Sequence, residues 1–280
     1  MSAPPRNSPL LCPRCRKLIG VEETRCPYCG LSSPGAWWRR TPVTRLFASG
    51  DTLINTIIGA NVVMYLLCLV ISPGALHLSF NPMHLLAPDG RALIFMGATG
   101  TIPIDRFHRW WTLVSASYLH GGILHIAFNM IALYQLAPLV TREYGTHRMF
   151  VIYTLSGVGG FLVSYVAGVA FTIGASAAIC GLIGAALYFG KHRGGIYGRA
   201  VFRQIGGWIV GIVLLGVLIR GINNWAHGGG IAMGILLGML MGYQERIREN
   251  RLHRWLSGLC LFGTAAVLVW AVFTTLLYRF

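Results

Sequence analysis

Four polar side chains in the apolar part of this sequence could do chemistry together: Ser176 in Gly174-Ala175-Ser176-Ala177, His227 in Ala226-His227-Gly228-Gly229-Gly230, and the pair His125 and Asn129. A serine hydroxyl is a weak nucleophile until a neutral imidazole within hydrogen-bond reach takes its proton, and the same imidazole can return that proton to a leaving amine. Ser176 stands at the start of an apolar segment, where helix N–H groups and the helix dipole favour a developing oxyanion. His125 and Asn129 are four apart, share one helix face, and can both donate to an oxyanion. An isolated pair of that kind is more often a helix–helix hydrogen bond; depth decides between the two readings. The acidic residues are Glu22, Glu23, Asp51, Asp89, Asp105, Glu143, Glu245 and Glu249, and none falls within an apolar run. The expectation is therefore a serine–histidine dyad rather than a triad. The same distribution disfavours a pair of facing aspartates, a His-Glu-x-x-His zinc helix and a carboxylate-lined proton pathway.

The elements that must position these residues are membrane spans. The 280-residue chain is 55% hydrophobic and 11% charged, with mean hydropathy +0.61, where a soluble domain carries roughly 25% charged residues. An all-α polytopic membrane protein follows. The net charge of +15 lies between apolar runs, as the positive-inside rule requires; no basic face with interleaved aromatics points to nucleic acid. Residues 1–50 contain no apolar signal-peptide core, so the N-terminus is expected in the cytoplasm.

Apolar runs place spans at Leu53–Ile71, Trp111–Ala137, Met149–Ala170, Ser176–Phe189, Ile205–Ile219, Trp225–Tyr243 and Trp255–Leu277. Spans four and five, so drawn, fall short of the ~20 residues that cross a bilayer. The connections then expected in the cytoplasm hold Arg142 and Arg148; Lys191, Arg193, Arg199 and Arg203; Arg246, Arg248, Arg251 and Arg254. The outer connections after spans three and five hold only Arg220, and Arg91, Arg106 and Arg109 of the first outer loop are partly offset by Asp89 and Asp105. Spans two, four and six all run inward, which puts His120, His125, Asn129, Ser176 and His227 at one depth near the outer face. A short span four implies non-helical backbone at 171–175 within the membrane, tolerated only where protein or a water-filled cavity covers it. Gly230, Gly234 and Gly238 share a face with His227, the small-residue stripe that lets membrane helices approach closely.

Residues 1–34 form a separate module with Cys12, Cys15, Cys26 and Cys29 in two C-x2-C pairs. Four thiolates at this spacing suit one tetrahedral zinc, which would supply folding energy to a piece too small for its own core. Disulfides are the rival reading, disfavoured where cytoplasmic thiols stay reduced. Residues 35–52 read as an interfacial linker with Trp37, Trp38, Arg39 and Arg40. Cys68, Cys180 and Cys260 are scattered in apolar runs.

His120-x4-His125-x3-Asn129, Gly174-Ala175-Ser176 and Ala226-His227-x2-Gly230-x3-Gly234 resemble, in order and on spans two, four and six, the three signature motifs of rhomboid intramembrane serine proteases. The resemblance covers about 53–243. It implies a six-helix bundle, extended here by one C-terminal span in 244–280 (a 6+1 arrangement), that cleaves single-span membrane proteins near the outer face with small residues at the cut. It implies Ser176 as nucleophile and His227 as base, His125, Asn129 and the Ser176 N–H as oxyanion donors, His120, Gly174, Gly230 and Gly234 as structural neighbours, and no catalytic cofactor. A bacterial inner membrane, with the C-terminus outside, is the expected location. Three positions depart from the pattern: Ala177 follows the serine where glycine is usual, Cys180 replaces the aromatic residue that usually packs against the base, and Thr112 follows Trp111 where arginine is usual. The rival to an active protease is an inactive relative that escorts transmembrane helices, a class that usually lacks the serine or the histidine.

Overall fold

The computed structural model describes residues 9–20, 22–35, 41–72, 85–219 and 221–279. Trp37, Trp38, Arg39, Arg40 and Arg220 lie outside them. The chain divides into two compact units, 1–53 and 54–280.

In the first unit, β1 (Pro9–Leu11) pairs antiparallel with β2 (Leu18–Gly20), Leu10 opposite Ile19. The two cysteine pairs repeat one backbone pattern. Cys12 N–H donates to Lys17 O and Arg16 N–H to Cys12 O; Cys26 N–H donates to Leu31 O and Gly30 N–H to Cys26 O. The fifth residue of each knuckle is left-handed, Arg16 at φ 57° and Gly30 at φ 69°. Beyond them, α1 (Pro42–Leu46) starts at Thr41, whose side chain accepts from the Thr44 N–H.

The second unit is helical: α2 (Gly50–Ile71, which begins in the first unit), α3 (Gly90–Phe95), α4 (Thr112–Ser115), α5 (Ile123–Tyr144), α6 (Thr146–Val166), α7 (Ser176–Arg193), α8 (Gly195–Leu218), α9 (Asn224–Met241) and α10 (Arg251–Arg279). Among the described residues, five helices are long and apolar enough to cross a membrane: Gly50–Ile71, Ile123–Tyr144, Thr146–Val166, Gly195–Leu218 and Arg251–Leu277. The protein is an all-α polytopic membrane protein. The two 18-residue helices, α7 and α9, are the most central: α7 packs chiefly on α9 and α6, and also on α8 and α5.

Lipid tails give apolar side chains no reason to prefer protein, so helices associate through close van der Waals packing of small residues. That is how α7 is held. A Cβ on Gly234 would sit 1.9 Å from Gly181 O, one on Gly230 2.2 Å from Ala177 O, and one on Gly184 2.1 Å from Ile231 O. The expected stripe of α9 therefore meets a second stripe on α7, backbone against backbone. On the third side, a Cβ on Gly181 would lie 2.0 Å from Ser156 Cβ of α6. Leu182, Ile183 and Phe189 fill the remaining spaces, fully buried.

Three spans differ from the hydropathy reading. The second is not one helix from Trp111: α4 and a 3-10 turn at Ala116–Tyr118 end at extended Leu119 (ψ 144°), and α5 starts only after Gly121-Gly122. It then runs through Pro138 to Tyr144, where Gly145 alone separates it from α6. Both α7, at 18 residues, and α8, at 24, outrun the apolar segments of spans four and five. Lys191, Arg193, Arg199 and Arg203 end the apolar runs but not the helices, which meet at Gly194 with φ 66°, a conformation only glycine adopts without cost.

The three connections expected in the cytoplasm do converge at one end of the bundle. Glu143 and Arg142 of α5 bond Tyr197 of α8, and Arg193 of α7 bonds Glu245 after α9 through both carboxylate oxygens. Arg148, fully buried at the start of α6, donates to Met241 O at 3.1 Å, Gly242 O at 2.6 Å and Ile247 O at 2.8 Å. It thus satisfies carbonyls that the end of α9 would otherwise leave without partners.

Candidate active site

The opposite ends of α5, α7 and α9 meet at one cavity of about 190 Å³, lined by Ser176, Ile179 and Cys180 of α7, Asn129 of α5, and His227 of α9, among others. Ser176 is the first residue of α7; the N–H groups of a helix's first turn have no intrahelical acceptor. The chain reaches it through Gly174 at φ 121°, and a Cβ there would sit 2.7 Å from His125 Nε2 and 3.7 Å from Ser176 Oγ. Glycine supplies both the backbone turn and the room that brings His125 toward the hydroxyl.

Each polar residue is fixed from its own element. His125 accepts the Gly121 N–H on Nδ1 at 3.2 Å, which turns Nε2 toward Gly174 and Ser176. Asn129 Nδ2 donates to His125 O at 2.8 Å. His227 lies in the first turn of α9, whose N-cap Asn223 accepts the Ala226 N–H at 3.1 Å. Asn223 Nδ2 also donates to Ser164 Oγ at 2.6 Å and Thr172 Oγ1 at 2.9 Å. That one side chain ties the start of α9 to the strand-like segment before α7. His227 Nδ1 is buried without a hydrogen-bond partner, and no residue lining the cavity is acidic.

The irregular backbone before α7 is satisfied by protein. Thr99 and Thr172 exchange backbone bonds of 3.1 and 2.7 Å, Thr101 N–H donates to Val169 O, and Gly174 N–H donates to Ala116 O at 2.9 Å. Thr112, where the resemblance has arginine, is fully buried and bonds Thr99 Oγ1 at 3.0 Å. Below this layer Ile104, Leu113, Ala116, Phe161, Ala177 and Ala226 form an apolar cluster. Ala177, in place of the usual glycine, is a wholly buried part of it.

The structure brings Ser176, His227, Asn129 and His125 together, with Gly174 and Gly230 as the points of close approach. Gly234 acts one turn further along α9. His120 stands in the break before α5, not on the helix. Both its ring nitrogens are buried without a partner, and its contact is an edge-on packing against the His125 ring at 5.0 Å. Sequence reasoning missed the α8 wall of the cavity, Trp208, Ile212 and Leu215, for which an apolar run gives no signal. It also missed Asn223, which the Asn-Asn-Trp N-cap pattern could have shown.

In the first unit the sulfurs of Cys12, Cys15, Cys26 and Cys29 all lie within 4.8 Å of one another. Cys12 to Cys29 is 3.7 Å and Cys15 to Cys26 is 3.6 Å. A tetrahedron with Zn–S arms of about 2.3 Å has edges of about 3.8 Å, so the four thiols fit a single metal ion.

A family model for the rhomboid domain matches residues 108–244, which contain every proposed site residue of the membrane unit. RHOMBOID-like protein 4 of Arabidopsis thaliana is 33% identical over 163 residues, 58% of this chain and 41% of that protein. Rhomboid protease GluP of Bacillus subtilis is 36% identical over 138 residues, 48% of this chain and 26% of GluP. The B. subtilis rhomboid-family protein YdcA is 32% identical over 133 residues, 47% of this chain and 67% of YdcA. The chain thus spans between about a quarter and two thirds of the length of these relatives. By the likeness to YdcA, two thirds of whose length is covered, together with the domain match, the chain belongs to the rhomboid family.

Proposed function

We propose that the protein is an intramembrane serine endopeptidase that cuts single-span membrane proteins near the outer face of the membrane. The observation that carries this reading is the shared cavity: Ser176 and His227, from the first turns of two helices locked glycine to glycine, face one space with Asn129, and His125 Nε2 and Ser176 Oγ both lie within 4 Å of where a Gly174 Cβ would be. GluP, a rhomboid protease by name, adds support.

Ser176 Oγ attacks the scissile carbonyl while His227 takes its proton. The tetrahedral oxyanion is met by the Ser176 N–H, Asn129 Nδ2 and His125 Nε2–H; the Gly121 N–H bond on Nδ1 is the contact that sets this tautomer. His227 then protonates the leaving amine, the peptide bond breaks, and an acyl-Ser176 remains. Water, deprotonated by His227, releases the acid. The histidine works without an acidic partner, so orientation comes from the anchoring of α9 at Asn223.

The bundle spans as six helices plus α10. The N-terminus and the α7–α8 junction lie in the cytoplasm and the C-terminus outside, in a bacterial inner membrane. Cys12, Cys15, Cys26 and Cys29 hold one structural zinc that takes no part in catalysis. The test is incubation of purified protein in lipid vesicles with a panel of single-span substrates. Cleavage by wild type and none by Ser176→Ala is expected. Binding of substrate helices without cleavage by either would favour the escort role instead.

A further inference from the structure

The hairpin of the first unit carries apolar side chains on both faces. Alternate residues of a strand point to opposite sides. Leu10 and Ile19, opposite each other, pack on the four cysteines. Leu11 and Leu18, the next pair, point away from them and are 58% and 64% exposed, where a hairpin with one solvated face would place polar side chains. Tyr28 of the second knuckle is also exposed, and the Lys17 ammonium lies 4.5 Å over its ring. We propose that this face docks on a bilayer surface rich in anionic phospholipid. The proposal rests on the metal-held module described above.

Charge selects an anionic partner. Arg14, Arg16 and Lys17 occupy the turn between Leu11 and Leu18, all exposed, and no acidic residue lies between Pro9 and Gly20. The acidic side chains stand at the other end of the hairpin: Glu23 Cγ lies 3.6 Å from where a Gly20 Cβ would be, and Glu22 precedes it in the chain. Leucines flanked by basic side chains suit shallow insertion, with the cations among the phosphates and the apolar side chains below them.

Connectivity selects a membrane over an acidic protein. α2, a helix of membrane-spanning length, begins at Gly50, only about fifteen residues after Gly35. Even fully extended, about fifteen residues reach about 50 Å. The chain therefore keeps this face close to the bilayer that it enters, at a high effective concentration. Each cation near an anionic leaflet strengthens association about fivefold, and each leucine side chain taken out of water adds about tenfold or more.

The experiment uses the full chain in lipid nanodiscs of phosphatidylcholine alone or mixed with phosphatidylglycerol, each doped with the same lipid carrying a photoreactive group near its head. Both leaflets are identical, so the result does not depend on which side the N-terminus occupies. Mass spectrometry compares lipid adducts within residues 9–31 with those on α10, and the zinc content of each sample shows whether the module is folded. We expect module adducts to be at least about tenfold more frequent with phosphatidylglycerol, and to be largely lost at high salt. Arg16→Gln combined with Lys17→Gln should weaken docking about 25-fold. Leu11→Ser combined with Leu18→Ser should weaken it at least about tenfold. Zinc should stay bound in both; if one pair releases it, the other decides. Adducts equal with the two lipids, or surviving both pairs of substitutions, would overturn the proposal and leave the metal site standing. So would a zinc-loaded module with no lipid adducts, which would point to a protein partner. No adducts and no zinc would remove both.

Discussion

Replacing Gly234 by alanine isolates the contact that brings together the helices carrying Ser176 and His227. The new Cβ would stand 1.9 Å from Gly181 O, where a carbon–oxygen contact needs at least about 3.3 Å, so the two backbones must separate by about 1.4 Å. Neither atom belongs to a flexible side chain that could turn away. Alanine improves helix propensity by about 1 kcal/mol, and overpacking against rigid neighbours costs about 1–3 kcal/mol. Because backbone must move, the top of that range applies, and a net loss of about 2 kcal/mol is expected. The functional effect should be larger, since a misplacement near 1 Å costs about 100-fold in rate. Gly263→Ala is the matched control: it lies in α10, where a Cβ meets nothing within 4 Å. Thermal unfolding in detergent and the rate of fluorophosphonate labelling at Ser176 read the two effects. The variant Gly263→Ala should be as stable as wild type or slightly more so, with unchanged labelling. If Gly234→Ala matched it in both assays, the glycine-to-glycine register would not be what sets the site.

One zinc per chain should co-purify, and Cys12→Ser or Cys26→Ser should abolish it; metal content unchanged in both would refute the four-thiol site. Tags at the N-terminus and at 194 should report the cytoplasm and a tag after Phe280 the outside, whereas protease protection of the C-terminal tag in intact cells would contradict the parity of α10. Glu249 Oε1 accepts the His147 and Arg148 N–H groups at 2.8 and 3.1 Å, and burial holds its carboxyl above the usual range although those donors and the Arg148 charge oppose this. A raised carboxyl costs stability once ionised, so its contribution is full below ~4.3 and declines as pH rises through the folded value. Glu249→Gln, which keeps an acceptor oxygen, should gain on wild type as pH rises above about 4, and Glu249→Ala should lose about 2 kcal/mol; a Gln variant that falls behind at high pH would show that the charge itself is needed.

The candidate site residues were readable where the physics is local, and the fold was not where it is contextual. Ser176 opening a helix follows from short-range rules, as would His227 four residues beyond Asn223 had that N-cap been read, and the α9 stripe follows from spacing alone. The break at Leu119–Gly122 was hidden because hydropathy measures transfer to lipid, not conformation; Gly121-Gly122 was the available signal. Helix ends at Arg193 and Gly195 were missed for the same reason, since a basic side chain leaves the membrane without leaving the helix. Arg148 read as one more positive-inside charge, and its burial against the carbonyls of Met241, Gly242 and Ile247 depends on chain about a hundred residues away. The α8 wall of the cavity is likewise a product of packing between distant segments.

The central claim is that Ser176 is activated by His227. A fluorophosphonate probe, followed by mass spectrometry of the labelled peptide, measures this without knowledge of the natural substrate. The account predicts an adduct on Ser176 in wild type, none in His227→Ala, and no further loss of substrate cleavage when Ser176→Ala is combined with His227→Ala, because nucleophile and base act as one unit. An adduct that forms at the wild-type rate without His227, or cleavage that survives Ser176→Ala, would contradict it.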